Sequence, residues 1–247
     1  MLGSVFAPEF TLEHYRRLTE EPLYLAVLWR TFKIALIVTI GAFALGYPVA
    51  YAMACLKGRA ATVITACVLI PLWTSALIRS YAWITLLQRK GVVNTALSEV
   101  GLAEAPLKLL YTEAAVIVAM THVLLPFMIL PIFSVLRAIP DDYVRAARNL
   151  GADLITAFFK ITLPLSLPGV AAGTLITFIL ALGFYITPAL VGGPGTLMIS
   201  ILIGQQTTEL LNWPFAGALS VVLLVATLMV VVAFRRVLSL SKGFQLA

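Results

Sequence analysis

The chain is 247 residues long, 61% hydrophobic and only 11% charged, with a formal net charge of +6. A soluble domain carries about 25% charged residues, so this composition excludes an ordinary soluble protein. Its basic residues are scattered and form no stripe that could track phosphates, which argues against a nucleic-acid partner.

Residues 1–22 are polar and acidic and lack the short apolar core of a cleavable signal. They read as an external N-terminal segment, and 23–247 as one membrane domain. Five spans are expected, at 25–56, 60–87, 114–136, 163–187 and 214–237. Residues 34–56, 60–78, 114–136, 161–208 and 210–234 carry no Asp, Glu, Lys or Arg, and a spanning helix needs about 20 such residues. The expected fold is therefore all-α: a polytopic transmembrane helix bundle. Gly46, Pro48, Pro71, Pro126, Pro131 and Pro168 fall inside spans. Membrane helices tolerate such breaks where neighbours or cavities satisfy the freed backbone groups. The breaks fit a bundle around a pathway, and they also fit ordinary packing kinks. Cys55 and Cys67 lie in apolar runs and read as free thiols, with no nearby His to complete a zinc site. No cofactor or metal is expected.

Two polar stretches separate the spans, a loop at 88–113 and a charged loop at 137–162. Placing 137–162 in the cytoplasm puts Lys57, Arg59, Arg137, Arg145, Arg148, Lys160, Arg235, Arg236 and Lys242 inside, in the sense of the positive-inside rule. The asymmetry is small unless Arg30, Lys33 and Arg79 lie within spans. With that orientation the C-terminus is cytoplasmic and the N-terminus external.

The 137–162 loop has its own internal order. Pro140 biases Ile139 away from the α region, and Asp141 or Asp142 is expected to cap a short helix. Tyr143, Ala146, Ala147 and Leu150 then follow at i, i+3, i+4 and i+7, an apolar stripe. Gly151 is expected to end the helix at positive φ, Asp153 to restart it, and Pro164 to open the next span.

The same loop carries Ala146-Ala147, a glycine at Gly151, and Ile161, Leu163 and Pro164 in an I-x-L-P run. This spacing resembles the EAA motif of ABC-transporter permease subunits, with Arg145 at the position of the usual Glu. The resemblance implies that Arg145, Ala146, Ala147, Leu150, Gly151, Ile161, Leu163 and Pro164 couple the chain to a separate ATPase. Any ion pair of the usual Glu with a basic ATPase residue cannot form from Arg145, and an acidic partner would replace it. Further segments resemble spermidine/putrescine-type permeases: Pro71 to Trp83 (PLWTSALIRSYAW), Lys90-Gly91-Val92-Val93-Asn94, Leu124 to Met128, Gly192-Gly193, and Asn212 to Phe215. That subfamily is broad, and its relatives are associated with opines, amino-acid derivatives and iron(III) as well as polyamines.

The resemblance implies a bacterial inner-membrane importer subunit that is not itself an enzyme. Its implied partners are a second permease chain, two ATP-binding cassette subunits inside, an external substrate-binding protein, and membrane lipid. It also implies one more helix upstream of the first span, so the chain is expected to begin after it. Because no span contains Asp or Glu, a cationic cargo would have to use aromatic faces, backbone carbonyls or carboxylates of the partner chain. Trp73, Thr74, Ser75, Tyr81 and Tyr185 are the candidate pathway residues, with Trp83 and Thr187 beside them. The aromatics fit an interfacial belt equally well. Arg79 is expected near the outer end of its span, snorkelling to the interface, and His122 as a hydrogen-bonded residue between helices.

Three other classes fit the sequence less well. An ion-coupled transporter would show intramembrane carboxylates. A membrane enzyme needs a nucleophile–base pair or a metal cluster, and His14 and His122 are the only histidines. A purely structural subunit would not need the coupling spacing.

Overall fold

The computed structural model describes residues 13–101 and 106–243. Residues 1–12 of the expected external segment lie outside the described residues. The chain is all helical there, with no strand among the described residues. A short α1 (Glu13–Glu20) leads into α2 (Pro22–Cys55), whose Pro22 sits in the first turn, where a missing N–H removes no helical bond. α2 is 34 residues long, which at ~1.5 Å per residue exceeds the roughly 30 Å hydrocarbon core of a bilayer. Then come α3 (Arg59–Trp73), α4 (Ala76–Leu87), α5 (Val92–Glu99) and α6 (Glu113–Ala138). The charged loop holds α7 (Asp141–Asn149) and α8 (Leu154–Ala157). A π-helical turn, Phe158–Thr162, joins α8 to α9 (Leu163–Leu182). The chain closes with α10 (Ile186–Val191), α11 (Ile199–Thr208) and α12 (Trp213–Gly243).

Four helical segments are long and apolar enough to cross a membrane, and a bent pair adds a fifth if it is counted as one span. The expected five spans are reached only on that count, and two of them need correction. The stretch 60–87 is not one helix: α3 and the α4–α5 arm meet at 104°. Pro71 offers no N–H, Thr74 turns to the extended region, and Ser75 caps the new helix by accepting the Leu77 N–H at 3.2 Å. The span expected at 163–187 runs over Leu154–Leu182 instead. Pro164 does not start it, because the π turn carries the helix past the missing donor: the Leu163 N–H bonds the Phe158 carbonyl, five residues back.

The centre of the fold is the packing of α2, α6 and α9. Ile34, Ala35, Val38, Val116, Met120, Leu124, Ala181 and Leu182 form one fully buried cluster, joined by Met198. Ala42, Ala50, Met128, Ile129 and Ile132 extend it toward the α7 end. Close approach depends on a small-xxx-small pair on α9. A Cβ on Gly169 would lie 2.9 Å from the Pro131 carbonyl oxygen, and one on Gly173 would lie 2.9 Å from that of Met128. Buried hydroxyls join the helices. Tyr47 and Ser166 share a hydrogen bond of 2.9 Å, and Thr31 Oγ1 accepts the Ile199 N–H at 2.9 Å. The opposite end is closed by Leu18, Tyr24 and Phe215, which pack α1 onto the starts of α2 and α12.

Candidate functional site

Two regions hold the residues singled out in the sequence. The first is the knob formed by α7 and α8. Pro140 is the residue before α7 and provides no side-chain cap, so neither Asp141 nor Asp142 plays that role. Both lie in the first turn of α7, where their charge suits the positive end of the helix dipole. The C-terminus is a Schellman turn: the Gly151 N–H bonds the Arg148 carbonyl and the Ala152 N–H bonds that of Ala147, each at 3.0 Å. Gly151 takes φ +88° there, as expected for this glycine. Asp153 restarts the chain by accepting the Thr156 N–H at 3.1 Å. Its bonding to Thr156, first of all the causes, holds the Asp153 carboxyl below the usual range.

No residue of α7 is buried. Tyr143, Leu150, Leu154, Ile155 and Phe159 are all exposed, Leu150 at 89%. Ala146 is exposed and Ala147 half-buried, so the small pair leaves the middle of the helix low, with apolar bulk beyond it. Among the described residues Arg145 is held only by Asp142, at 3.8 Å with both side chains in solvent, a pair of the kind worth ~1 kcal/mol or less. Ile161, Leu163 and Pro164 stand half-buried at the root of the knob. A cleft of roughly 730 Å³ lies behind α7, between it and the ends of α2 and α6, lined by Tyr51, Lys57, Arg137, Asp142 and Thr162 among others. The knob is a compact, solvent-facing element with a continuous helical connection through the π turn into α9.

The second region is where two membrane helices break. Trp73, Thr74 and Ser75 form the corner between α3 and α4, with Trp73 88% exposed. Thr74 Oγ1 donates to the Pro71 carbonyl at 2.8 Å, using a hydroxyl to satisfy the broken helix end. Tyr185 lies at the other break, between α9 and α10. The two broken segments pack together: Ser80 on α4 and Thr187 on α10 share a buried hydrogen bond of 2.8 Å. The Tyr185 ring lies over Gly204 of α11, where a Cβ would fall 2.7 Å from Cε2. Tyr81 and Tyr185 are about half exposed. The structure thus brings α4 and α10 together, but among the described residues the rings of Trp73, Tyr81 and Tyr185 do not stack on one another.

Arg79 behaves differently from the sequence reading, and His122 as expected. Arg79 does not snorkel outward. Its Nη1 donates to the Val123 carbonyl of α6 at 3.2 Å, and its Nε is buried without a hydrogen-bond partner. Asn94 is buried and organises the 88–113 loop. Its Nδ2 donates to the Gln88 and Leu107 carbonyls at 3.2 and 3.1 Å, and its Oδ1 accepts the Leu107 N–H at 2.9 Å. His122 meets expectation as an interhelical group, its Nδ1 accepting from Trp83 Nε1 at 3.3 Å. The sequence signal for Asn94 was its place in a Gly-x-x-Asn run between two polar turns. Among the described residues no group of His, Cys, Asp and Glu is arranged to hold a metal.

The profile of the family described as "Binding-protein-dependent transport system inner membrane component" matches residues 34–239. The chain is 35% identical over 234 residues to the spermidine/putrescine transport system permease protein PotB of Haemophilus influenzae, covering 95% of this chain and 82% of that one. It is 36% identical over 238 residues to PotB of Escherichia coli, covering 96% and 86%. Among solved structures, a bacterial alginate ABC transporter in complex with an alginate pentasaccharide-bound periplasmic protein superposes with a TM-score of 0.80 at 19% identity. That match covers 91% of this chain and 81% of the other, and it speaks for the fold alone.

Proposed function

Since the chain belongs to the family of binding-protein-dependent transport system inner membrane components, we propose that it is one of two permease subunits of an ATP-driven polyamine importer. The observation that carries this reading is the similarity to spermidine/putrescine permeases over nearly the whole chain. The chain sits in the bacterial inner membrane as a multi-pass subunit. A second, non-identical permease completes the pathway, two ATP-binding cassette subunits dock on the cytoplasmic side, and a substrate-binding protein delivers cargo outside. ATP hydrolysis belongs to the cassette subunits. The 137–162 loop is cytoplasmic, as is the C-terminus, and residues 1–22 form an external segment.

The knob suits the coupling role physically. Exposed apolar side chains around a low Ala146–Ala147 centre fit a cleft on a partner, and the unbroken helix from α8 into α9 transmits displacement to the bundle. Arg145, free of any buried ion pair, is presented to an acidic group of the ATPase. The cargo side is supported by exposed aromatics at helix corners, Trp73 and Tyr185, with Tyr81 on α4. Cation–π contacts are worth about 0.5–2 kcal/mol each. Such weak contacts let a polycation pass without a deep well in which it would be trapped.

The test is uptake by vesicles carrying the complete complex. Putrescine and spermidine should compete with each other, and opine-like carboxylates and citrate-chelated iron should not. Competition by carboxylates alone would replace the polyamine by an anionic cargo. Trp73→Ala or Tyr185→Ala should slow uptake only about two- to thirtyfold, as expected for loss of one such contact.

A further inference from the structure

Arg79 is a cation at mid-membrane depth without a counter-charge among the described residues of its own chain. Its acceptor, Val123, lies ten residues into α6 from Glu113, ~15 Å along the axis, which is about half of a bilayer's hydrocarbon thickness. The guanidinium has five donors and no acceptor. One of these is used on Val123, and the buried Nε is used on nothing. None of the chain's membrane spans supplies an interior Asp or Glu. Glu113, at the start of α6, is engaged by Lys33 at 2.6 Å.

The neighbourhood adds a second donor and no acceptor. Arg79 and Trp83 are one turn apart on α4, and they reach Val123 and His122, adjacent residues of α6. The Trp83 indole N–H occupies His122 Nδ1 as an acceptor, which fixes the neutral ring with its proton on Nε2. His122 is exposed on the outside of this chain's bundle. Arg79 and His122 therefore offer N–H groups to whatever covers this face, and lipid tails can accept none of them.

We infer that the α4–α6 face around Arg79, His122 and Trp83 is an interface with the second permease subunit, closed by a carboxylate of that subunit seated on Arg79 and His122. Charge complementarity selects the occupant: a cationic cargo cannot neutralise a guanidinium, and a fixed carboxylate can accept from both donors. Once seated, that carboxylate also keeps Arg79 from repelling a passing polycation. The choice of the partner subunit over the cargo as the source of the carboxylate rests on the polyamine reading above.

The experiment measures assembly without cargo, so that a failure of the polyamine assignment leaves its outcome unaffected. The tagged chain is co-expressed with the second permease and both cassette subunits, and the complex is recovered in detergent. Arg79→Met should lower recovery of the second permease by more than about tenfold, since removing one member of a buried ion pair leaves the other uncompensated. Arg79→Lys keeps the charge but not the planar fork and should restore recovery in part. A second arm leaves this chain unaltered: neutralising each span carboxylate of the second permease in turn should yield one variant with the same loss. Undiminished recovery in all variants, or the absence of Asp and Glu from that subunit's spans, overturns the inference. Undiminished recovery of Arg79→Met together with altered competition by carboxylates assigns the anion to the cargo and overturns it as well.

Discussion

At Gly151 the requirement for glycine is conformational and not steric. Its φ is +88°, yet a Cβ there would meet nothing within 4 Å. A bulky residue is disfavoured by ~1–2 kcal/mol through backbone strain alone, and a β-branched one more so. Asn, which tolerates the left-handed region, should be accepted. Gly151→Asn is therefore expected to keep ATPase co-purification near that of the parent, Gly151→Val to reduce it severely, and both to insert in the membrane normally. Equal behaviour of the two variants would mean that the turn geometry does not matter for docking. Asn94 makes the opposite case, a side chain whose role is wholly in its bonds. Asn94→Ala leaves the Leu107 N–H without its partner, at a cost of ~1–3 kcal/mol if it stays buried, and removes one of two donors from each of the Gln88 and Leu107 carbonyls, which keep the Gly91 and Leu109 N–H groups. Limited proteolysis of purified complex should then cut within 88–113 faster than in the parent; unchanged cutting would deny Asn94 that role.

Helix contacts obey the same logic over longer distances. α9 approaches α6 so closely that Cβ atoms at Gly169 and Gly173 would press on the carbonyls of Pro131 and Met128. Neither backbone can yield without moving a helix, so Gly173→Ala should destabilise the bundle by ~1–3 kcal/mol. Gly217→Ala on α12, where a Cβ meets nothing, should be neutral or mildly stabilising. The apparent Tm in detergent separates the two, and equal values would mean that the α6–α9 contact is looser than described. The sequence made the existence of these helices legible, because a charge-free run of twenty or more residues has few other readings. It did not reveal the corner at Thr74-Ser75, since hydropathy is blind to a capped break; Pro71 followed by two hydroxyl residues was the available signal. The π turn was hidden for a related reason: Pro164 reads as a helix start, whereas the helix is already under way from α8 and the π turn carries it past the proline. The knob was legible almost residue by residue because Gly151, Asp153 and the Ala pair act locally. Arg79 was misplaced because depth in a membrane depends on where α4 begins, and that depends on the break.

Orientation of the whole molecule follows from which charges belong to which end. Tyr51, Lys57, Arg137 and Thr162 line one cleft with α7, so the ends of α2 and α6, the start of the α8–α9 span, and the knob share one side. α12 begins at the other side, where its Phe215 packs on Tyr24, which returns Arg235 and Arg236 to the knob side. Arg30 and Lys33 lie within α2 and Arg79 within α4, so the positive-inside rule should not score them as loop charges. Arg16 and Arg17 pair with Glu20 and Glu21 on the far side. What remains is an excess of Lys and Arg on the α7 side, which supports the proposal that this side faces the cytoplasm. The reporter positions follow from burial. Asn94 is buried and would label poorly, whereas Lys90 and Asn149 are exposed. Cys55 and Cys67 are free and exposed and must first be replaced by Ala. In intact cells a membrane-impermeant maleimide should then label Lys90→Cys and not Asn149→Cys, and permeabilisation should expose the latter. Labelling of Asn149→Cys in intact cells would invert the bundle, moving the knob away from ATP and removing the basis for coupling through α7.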